Sequence, residues 1–368
     1  MRVFEAAQAR AARGLPVFNL AAGQPGTPAP VAVREAAKRA VDEQLVGYTS
    51  ALGIQPLREA IAGHYHRTYG IGVRPDEVVV TTGSSGAFLL AFLAAFDVGD
   101  TVVLARPGYP SYRNMLAALG CTVVELPCGA ESRFQPTVQM LDALPNRPAG
   151  LVLASPANPT GTMVNPTELA AIARWCGSNG VRLISDEIYH GVTYTGQVAS
   201  AWGTDRSGVV VNSFSKYWRM TGWRLGWLLA PADLRDAIDR LTTNFTLCPP
   251  TLSQHAAIAA FDDYADLDAA VEQYRGNRTL ALDGLAAAGL SKVAPADGAF
   301  YVYADVGHLT DDSLTLCYRI LDETGVACAP GLDFDPIDGC RRLRFSFAGD
   351  RGTLTAALEA LAGWLPRA

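Results

Sequence analysis

The stretch VVVNSFSKYWRMTGWRLGWLLA, residues 209–230, decides how this chain reads. It opens on an apolar, β-branched run, 209–213, and closes on a second, 224–229. Between them lies a polar and aromatic loop that holds a lysine. Lysine is scarce: of 30 Lys and Arg side chains, only Lys38, Lys216 and Lys292 are lysines. Arginine carries nearly all the routine positive charge. Lys38 and Lys292 read as surface positions. Lys216, between Phe214 and Trp218, reads as an amine placed for chemistry. A guanidinium stays protonated, whereas an amine can lose its proton and attack carbon.

Outward from this stretch the same grammar repeats. Short apolar runs stand at 78–82, 101–105, 121–126, 151–154 and 181–185, besides 209–213 and 224–229. Helix-like stretches come after several of them: 84–96, then runs opened by Pro110, Pro136 and Pro166. Strands apolar on both faces belong to a sheet covered on both sides. Strand–helix alternation predicts a mostly parallel arrangement. Upstream, 2–13 predicts a helix stopped by Gly14, 31–43 a helix opened by Pro30, and 56–69 a helix ended by Gly70. From about Leu252 the texture changes. Ala-rich helical stretches, 252–263 and 265–288, precede strands at 299–304 and 342–347 and a terminal helix at 351–363. The expected fold class is α/β. A large domain, 31–254, carries a mostly parallel seven-stranded sheet sandwiched by helices; a smaller α+β domain combines 1–30 with 255–368.

Composition narrows the classes. The 368 residues are 49% apolar and 18% charged, with a net charge of −6. That suits a large core, or a core plus a subunit interface. No long basic run suggests nucleic acid as a partner. The longest apolar run, 87–96, is too short to span a bilayer. The seven cysteines are scattered without a C-x-x-C pair, as free thiols in a reducing compartment would be. The N-terminal MRVFEAAQARAARG has no apolar signal core, so a cytoplasmic location is expected. His64 and His66 lie two apart on a predicted helix, on different faces, and read as surface residues rather than metal ligands.

Ligands of open α/β sheets bind beyond the C-terminal ends of the strands. Four of these ends carry chemistry: GSSG at 83–86, SPANPTG at 155–161, SDEIYH at 185–190 and NSFSK at 212–216. GSSG at a helix start suits a phosphate, or is a small-residue cap. Asn158-Pro159-Thr160-Gly161 could be a plain turn. Asp186 ends an apolar strand, where an anion needs a cation or donors, or it caps the next segment. Tyr189 could be core. Arg224 and Arg344, each in an apolar strand pattern, need anions. No G-x-G-x-x-G, Walker, H-E-x-x-H or G-x-S-x-G motif competes. A lysine, a phosphate cradle, an aspartate and a neutral polar pair together point to pyridoxal phosphate.

At these residues the chain resembles the fold-type I, class I/II pyridoxal phosphate-dependent aminotransferases, the aspartate aminotransferase superfamily. The resemblance runs through GYTSALGIQPLREAIA (47–62), VVVTTGSSGA (78–87), RPGYPSY (106–112), SPANPTGT (155–162), SDEIYHGVTY (185–194), SFSKYWRMTGWRLGW (213–227), DGAFYVYADV (297–306) and RRLRFSFA (341–348). It implies that Lys216 holds pyridoxal 5'-phosphate as an internal aldimine and that Asp186 pairs with the pyridinium nitrogen. Asn158 and Tyr189 would bond the phenolate oxygen. Tyr109, where some relatives have Trp, would stack on the ring. Ser84, Ser85, Ser213 and Arg224 would bind the phosphate, with Tyr48 reaching in from the partner of a homodimer. Arg344 would grip the substrate carboxylate, with the Gly23 backbone and Asn158 nearby.

The implied reaction is transamination between an amino acid and a 2-oxo acid, with Lys216, Asp186 and Tyr189 as the catalytic set. The same cofactor shell would also serve a carbon–sulfur β-lyase or a decarboxylase. A non-catalytic regulatory module of this fold would sit behind a DNA-binding domain, and this chain shows no basic domain.

Overall fold

Short strands buried on both faces dictate the architecture. The computed structural model describes residues 2–365. Met1 and 366–368, the extreme ends of the expected smaller domain, lie outside the described residues. The strands are β1 (Phe18–Asn19), β2 (Val78–Thr81), β3 (Thr101–Arg106), β4 (Thr122–Pro127), β5 (Gly150–Ala154), β6 (Arg182–Asp186), β7 (Val209–Ser213), β8 (Gly226–Leu229), β9 (Tyr301–Asp305), β10 (Val326–Ala327), β11 (Ala329–Pro330) and β12 (Arg342–Ser346). The helices are α1 (Arg2–Ala12), α2 (Val31–Glu43), α3 (Gln55–Tyr69), α4 (Gly83–Ala95), α5 (Pro110–Ala118), α6 (Val138–Asp142), α7 (Pro166–Asn179), α8 (Arg235–Phe245), α9 (Thr251–Ile258), α10 (Tyr264–Ala287), α11 (Ser313–Thr324) and α12 (Arg351–Trp364).

Seven strands form one sheet in the order β2-β8-β7-β6-β5-β3-β4, and only β8 runs antiparallel to its neighbours. Side-chain alternation divides the core in two. Val78, Val80, Leu151, Leu153, Val210 and Leu229 face one cluster, shared with Leu57 and Ile61 of α3 and Ile172 of α7. Val79, Val152, Val209, Val211 and Leu228 face the other, shared with Phe88 and Phe92 of α4, Leu116 of α5 and Ile238 of α8. Helices therefore cover both faces, as the run of apolar strands predicted. A second, antiparallel sheet has the order β11-β12-β9. The pair β1–β10 joins Phe18 to Val326, bringing the N-terminal segment to the C-terminal part.

Several expectations are corrected. Arg224 is not in a strand: β8 starts at Gly226, and Arg224 is exposed with left-handed φ 52°. The helix expected at 252–263 ends at Ile258 and gives way to a 3-10 turn, Ala259–Phe261. Helices α8 and α11 add to the expected elements, although Asp312 caps α11 and Gly325 stops it in the left-handed region. His64 is buried rather than on the surface. Its ring stacks on Tyr264 with centroids 5.9 Å apart, its Nδ1 lies 2.9 Å from the Tyr264 hydroxyl, and burial lowers its pKa to about 4. The two histidines do take different faces of α3, but His64 takes the inward one and meets a partner 200 residues away.

Trp227 on β8 is fully buried and its indole N–H donates to Tyr65. Trp227→Ala should destabilise the cofactor-free protein by about 3–5 kcal/mol, read as a lower denaturant midpoint. An unchanged midpoint would contradict this packing.

Candidate active site

Parallel strands end along one edge, so the residues just past each strand converge there. Gly83 comes after β2, Tyr109 after β3, Asn158 after β5, Tyr189 after β6 and Lys216 after β7. Strand β8 runs the other way, so its start meets the same edge. Gly226 pairs with both Ser213 and Thr81, which brings Arg224 beside Gly83.

Lys216 is half-buried, while Lys38 and Lys292 are exposed as expected. Its Nζ donates to the Gly23 carbonyl at 2.7 Å. Burial pushes its pKa down to about 8, the Arg344 charge adds to this, and Asp186 opposes it. Asp186 is buried. Its Oδ1 accepts from the Ile188 N–H at 3.0 Å and its Oδ2 accepts from the Tyr112 hydroxyl. Burial raises this carboxyl to about 6, with Tyr112, Ile188 and Lys216 pulling it back.

Arg344 arrives from the second sheet. One Nη donates to Asn158 Oδ1 at 2.9 Å and the other to the Ala21 carbonyl at 2.6 Å. Its Nε is buried without a partner. The rings of Tyr301 and Phe334 lie 4.4 and 4.7 Å from its Cζ. Tyr189 is buried, with its hydroxyl 2.6 Å from that of Tyr301. Lys216, Asp186, Tyr189, Asn158, Arg344 and Gly23 are thus brought together.

The other end of the site is built on α4. Gly83 has φ +69°, and a Cβ there would lie 2.7 Å from an Arg224 Nη. The guanidinium thus covers the helix start. Thr82, the N-cap, makes no side-chain cap bond, whereas Asn165, Asp263, Asp312 and Asp350 cap α7, α10, α11 and α12. Ser84 is half-buried and Ser85 exposed. Ser213 is fully buried, and its hydroxyl lies 2.9 Å from that of Ser215 and 3.2 Å from the Leu225 carbonyl oxygen, contacts that brace the loop. Tyr109 caps α5 and is 36% exposed, which leaves its ring free for stacking. Tyr48 stands 85% exposed and is not gathered into this chain's own site.

The profile of the family described as aminotransferase class I and II matches residues 16–361. The chain belongs to the class I and II aminotransferases. A valine–pyruvate aminotransferase of Mycobacterium tuberculosis is 58% identical over 354 residues, covering 95% of this chain and 91% of that protein. A crystal structure of an aminotransferase from Mycobacterium tuberculosis superposes with TM-score 0.98 at 56% identity, covering 100% of this chain and 96% of that one. The aspartate aminotransferase of Thermus thermophilus with maleate gives TM-score 0.93 at 34% identity, with 98% and 95% covered. The fold is aspartate aminotransferase-like, and this aminotransferase is a pyridoxal phosphate-dependent transaminase whose relatives act on amino acids and 2-oxo acids.

The residues present fit that cofactor. An amine with lowered pKa suits an aldehyde, a buried carboxylate suits a protonated ring nitrogen, and an uncapped helix start beside an arginine suits a phosphate. Two residues of this aminotransferase's site escaped sequence reasoning. Tyr112 lies three residues after Tyr109 on the same helical face, a spacing that could have found it. Tyr301 sits in a fully apolar strand pattern, where a tyrosine hydroxyl needs a partner.

In the cofactor-free aminotransferase, amine modification of Lys216 should show a pH midpoint near 8, as its burial demands. Arg344→Ala, by removing a repelling charge, should move that midpoint upward. A midpoint near the ordinary value of about 10.4 would contradict this site.

Proposed function

We propose that this aminotransferase holds pyridoxal phosphate through Lys216, Asp186, Asn158, Tyr189, Tyr109, Ser84, Ser85, Ser213 and Arg224, and grips its substrate with Arg344. The observation that carries this is the amine of Lys216 set against the Asp186 carboxylate and the Arg344 guanidinium. Bound pyridoxal phosphate supplies an aldehyde that captures amino groups and a ring that takes up electrons when a bond to Cα breaks. The Lys216 amine, whose pKa burial lowers, would be the group that moves a proton at the substrate Cα. Asp186, held by Tyr112 and the Ile188 N–H, keeps negative charge beside the ring nitrogen. Tyr189 and Asn158 would hold the cofactor's phenolate oxygen. Arg344 fixes the carboxylate, and with it the Cα bond to be broken.

We further propose a donor with a single carboxylate and a small aliphatic side chain, with pyruvate as acceptor. The 58% identical relative named for valine and pyruvate supports this.

A homodimer is part of the reading. Leu45, Tyr48, Phe245 and Leu247 are 95, 85, 61 and 54% exposed, and a partner would cover them while receiving Tyr48 at its phosphate site. The division into 31–254, and 1–30 with 255–368, is supported by the β1–β10 pairing. Among the described residues no helix is long and apolar enough to cross a membrane. Seven free thiols support a cytoplasmic location.

Lys216→Ala should lose the visible cofactor band and all turnover while the far-UV spectrum stays native. Arg344→Ala should keep the cofactor but lower kcat/KM for the donor about 10²–10³-fold. Normal kcat/KM in that variant would remove Arg344 from its role. Across a donor panel with pyruvate, valine should exceed aspartate. Donor alone should release one equivalent of 2-oxo acid and then stop; continuing release with free ammonia would mark a lyase.

A further inference from the structure

Tyr301 has been given no role above, yet it touches three residues that have one. Strand β9 pairs antiparallel with β12, Tyr301 opposite Ser346 and Tyr303 opposite Arg344. Alternation then puts Tyr301 and Arg344 on one face as diagonal neighbours, within reach of long side chains. The Tyr301 ring lies 4.4 Å from the Arg344 Cζ. Its hydroxyl lies 2.6 Å from the Tyr189 hydroxyl, with the two rings edge-on at 81°. Glycine at position 23 permits this placement, because a Cβ there would sit 2.3 Å from the Tyr301 oxygen. The carbonyl of that same glycine accepts from Lys216.

We propose that Tyr301 is a positioning residue of the active site: its hydroxyl orients Tyr189 and its ring holds Arg344. This rests on the roles proposed for Tyr189 and Arg344. Two hydroxyls at 2.6 Å share one hydrogen bond, and either oxygen can be the donor. When Tyr189 turns its proton outward to the cofactor's phenolate oxygen, only Tyr301 can donate in the pair. The resulting chain, Tyr301 to Tyr189 to phenolate, is polarised, and each bond strengthens the next. Loss of the Tyr301 hydroxyl weakens the outward bond. More negative charge then stays on the phenolate oxygen, which holds the neighbouring proton harder. The ring works separately. A guanidinium lying on an aromatic face is steered by the ring's negative charge and loses less freedom when a carboxylate arrives.

Tyr301→Phe removes the hydroxyl and keeps the ring; Tyr301→Leu removes both. In the reconstituted enzyme, Tyr301→Phe should raise the pH midpoint of the visible cofactor band by about half a unit. Pyridoxal phosphate added to the cofactor-free variant should bind about twofold to fourfold more weakly. The donor KM should stay within about twofold, since the ring remains. Tyr301→Leu should raise that KM about tenfold beyond the Phe variant. A purely structural role would lower thermal stability and leave the Phe midpoint at the wild-type value. That outcome, with Tyr189→Phe moving the midpoint, overturns the proposal alone. If Tyr189→Phe also leaves the midpoint unmoved, the site assignment fails and the proposal falls with it. Tyr301→Phe is close to isosteric, so a folded variant carries the test even where the Leu variant does not fold.

Discussion

The Lys216 amine, bonded to the Gly23 carbonyl and flanked by charges of both signs, is the contact on which the rest depends. Two sheets must meet for it to exist. The seven-stranded sheet delivers Lys216 and Asp186 from the ends of β7 and β6, while β12 of the smaller sheet delivers Arg344. The segment around Gly23 lies between them, tied to β10 through β1 and to β12 by the Ser346 N–H bond to Leu20. An amine in water would stay protonated at neutral pH. Here burial and a nearby guanidinium bring its release into the physiological range.

Behind the functional face lies a second polar layer. The Glu187 carboxylate is buried one residue past Asp186, and one of its oxygens accepts from Ser185, Ser200 and the Ala201 N–H. His190, also buried, bridges the Tyr69 hydroxyl at 2.7 Å and the Ser155 carbonyl at 3.1 Å. That bridge ties the turn carrying Tyr189 to the loop carrying Asn158. The two groups proposed for the phenolate oxygen are thereby fixed relative to each other, and their donors are aimed without a loss of freedom at each turnover.

Much of this was legible in the sequence because strands announce themselves by composition and parallel strands put their ends on one edge. The apolar runs, Asp186 at the end of one and Lys216 beyond another all come from that logic. What escaped reading was settled by contacts between distant segments. Arg224 reads as part of a strand, but the antiparallel β8 begins two residues later and leaves it outside. His64 reads as surface until Tyr264 covers it. Tyr301 turns on where a hydroxyl points, which local pattern does not encode. Helix α8 went unread although Ile238, Leu241 and Phe245 recur at helical spacing, Ile238 and Thr242 being its buried residues.

The bare start of α4 has a consequence beyond catalysis. Its first amides have no side-chain acceptor from the N-cap, as is also true of α2, α3, α5, α8 and α9, so the start of this core helix presents positive potential. On the proposed assignment an anionic vitamin derivative completes that helix, and saturation at 100 times Kd would add about 2.7 kcal/mol to the folded state. Cofactor occupancy would then set how firmly the polypeptide stays folded, as well as how fast it works.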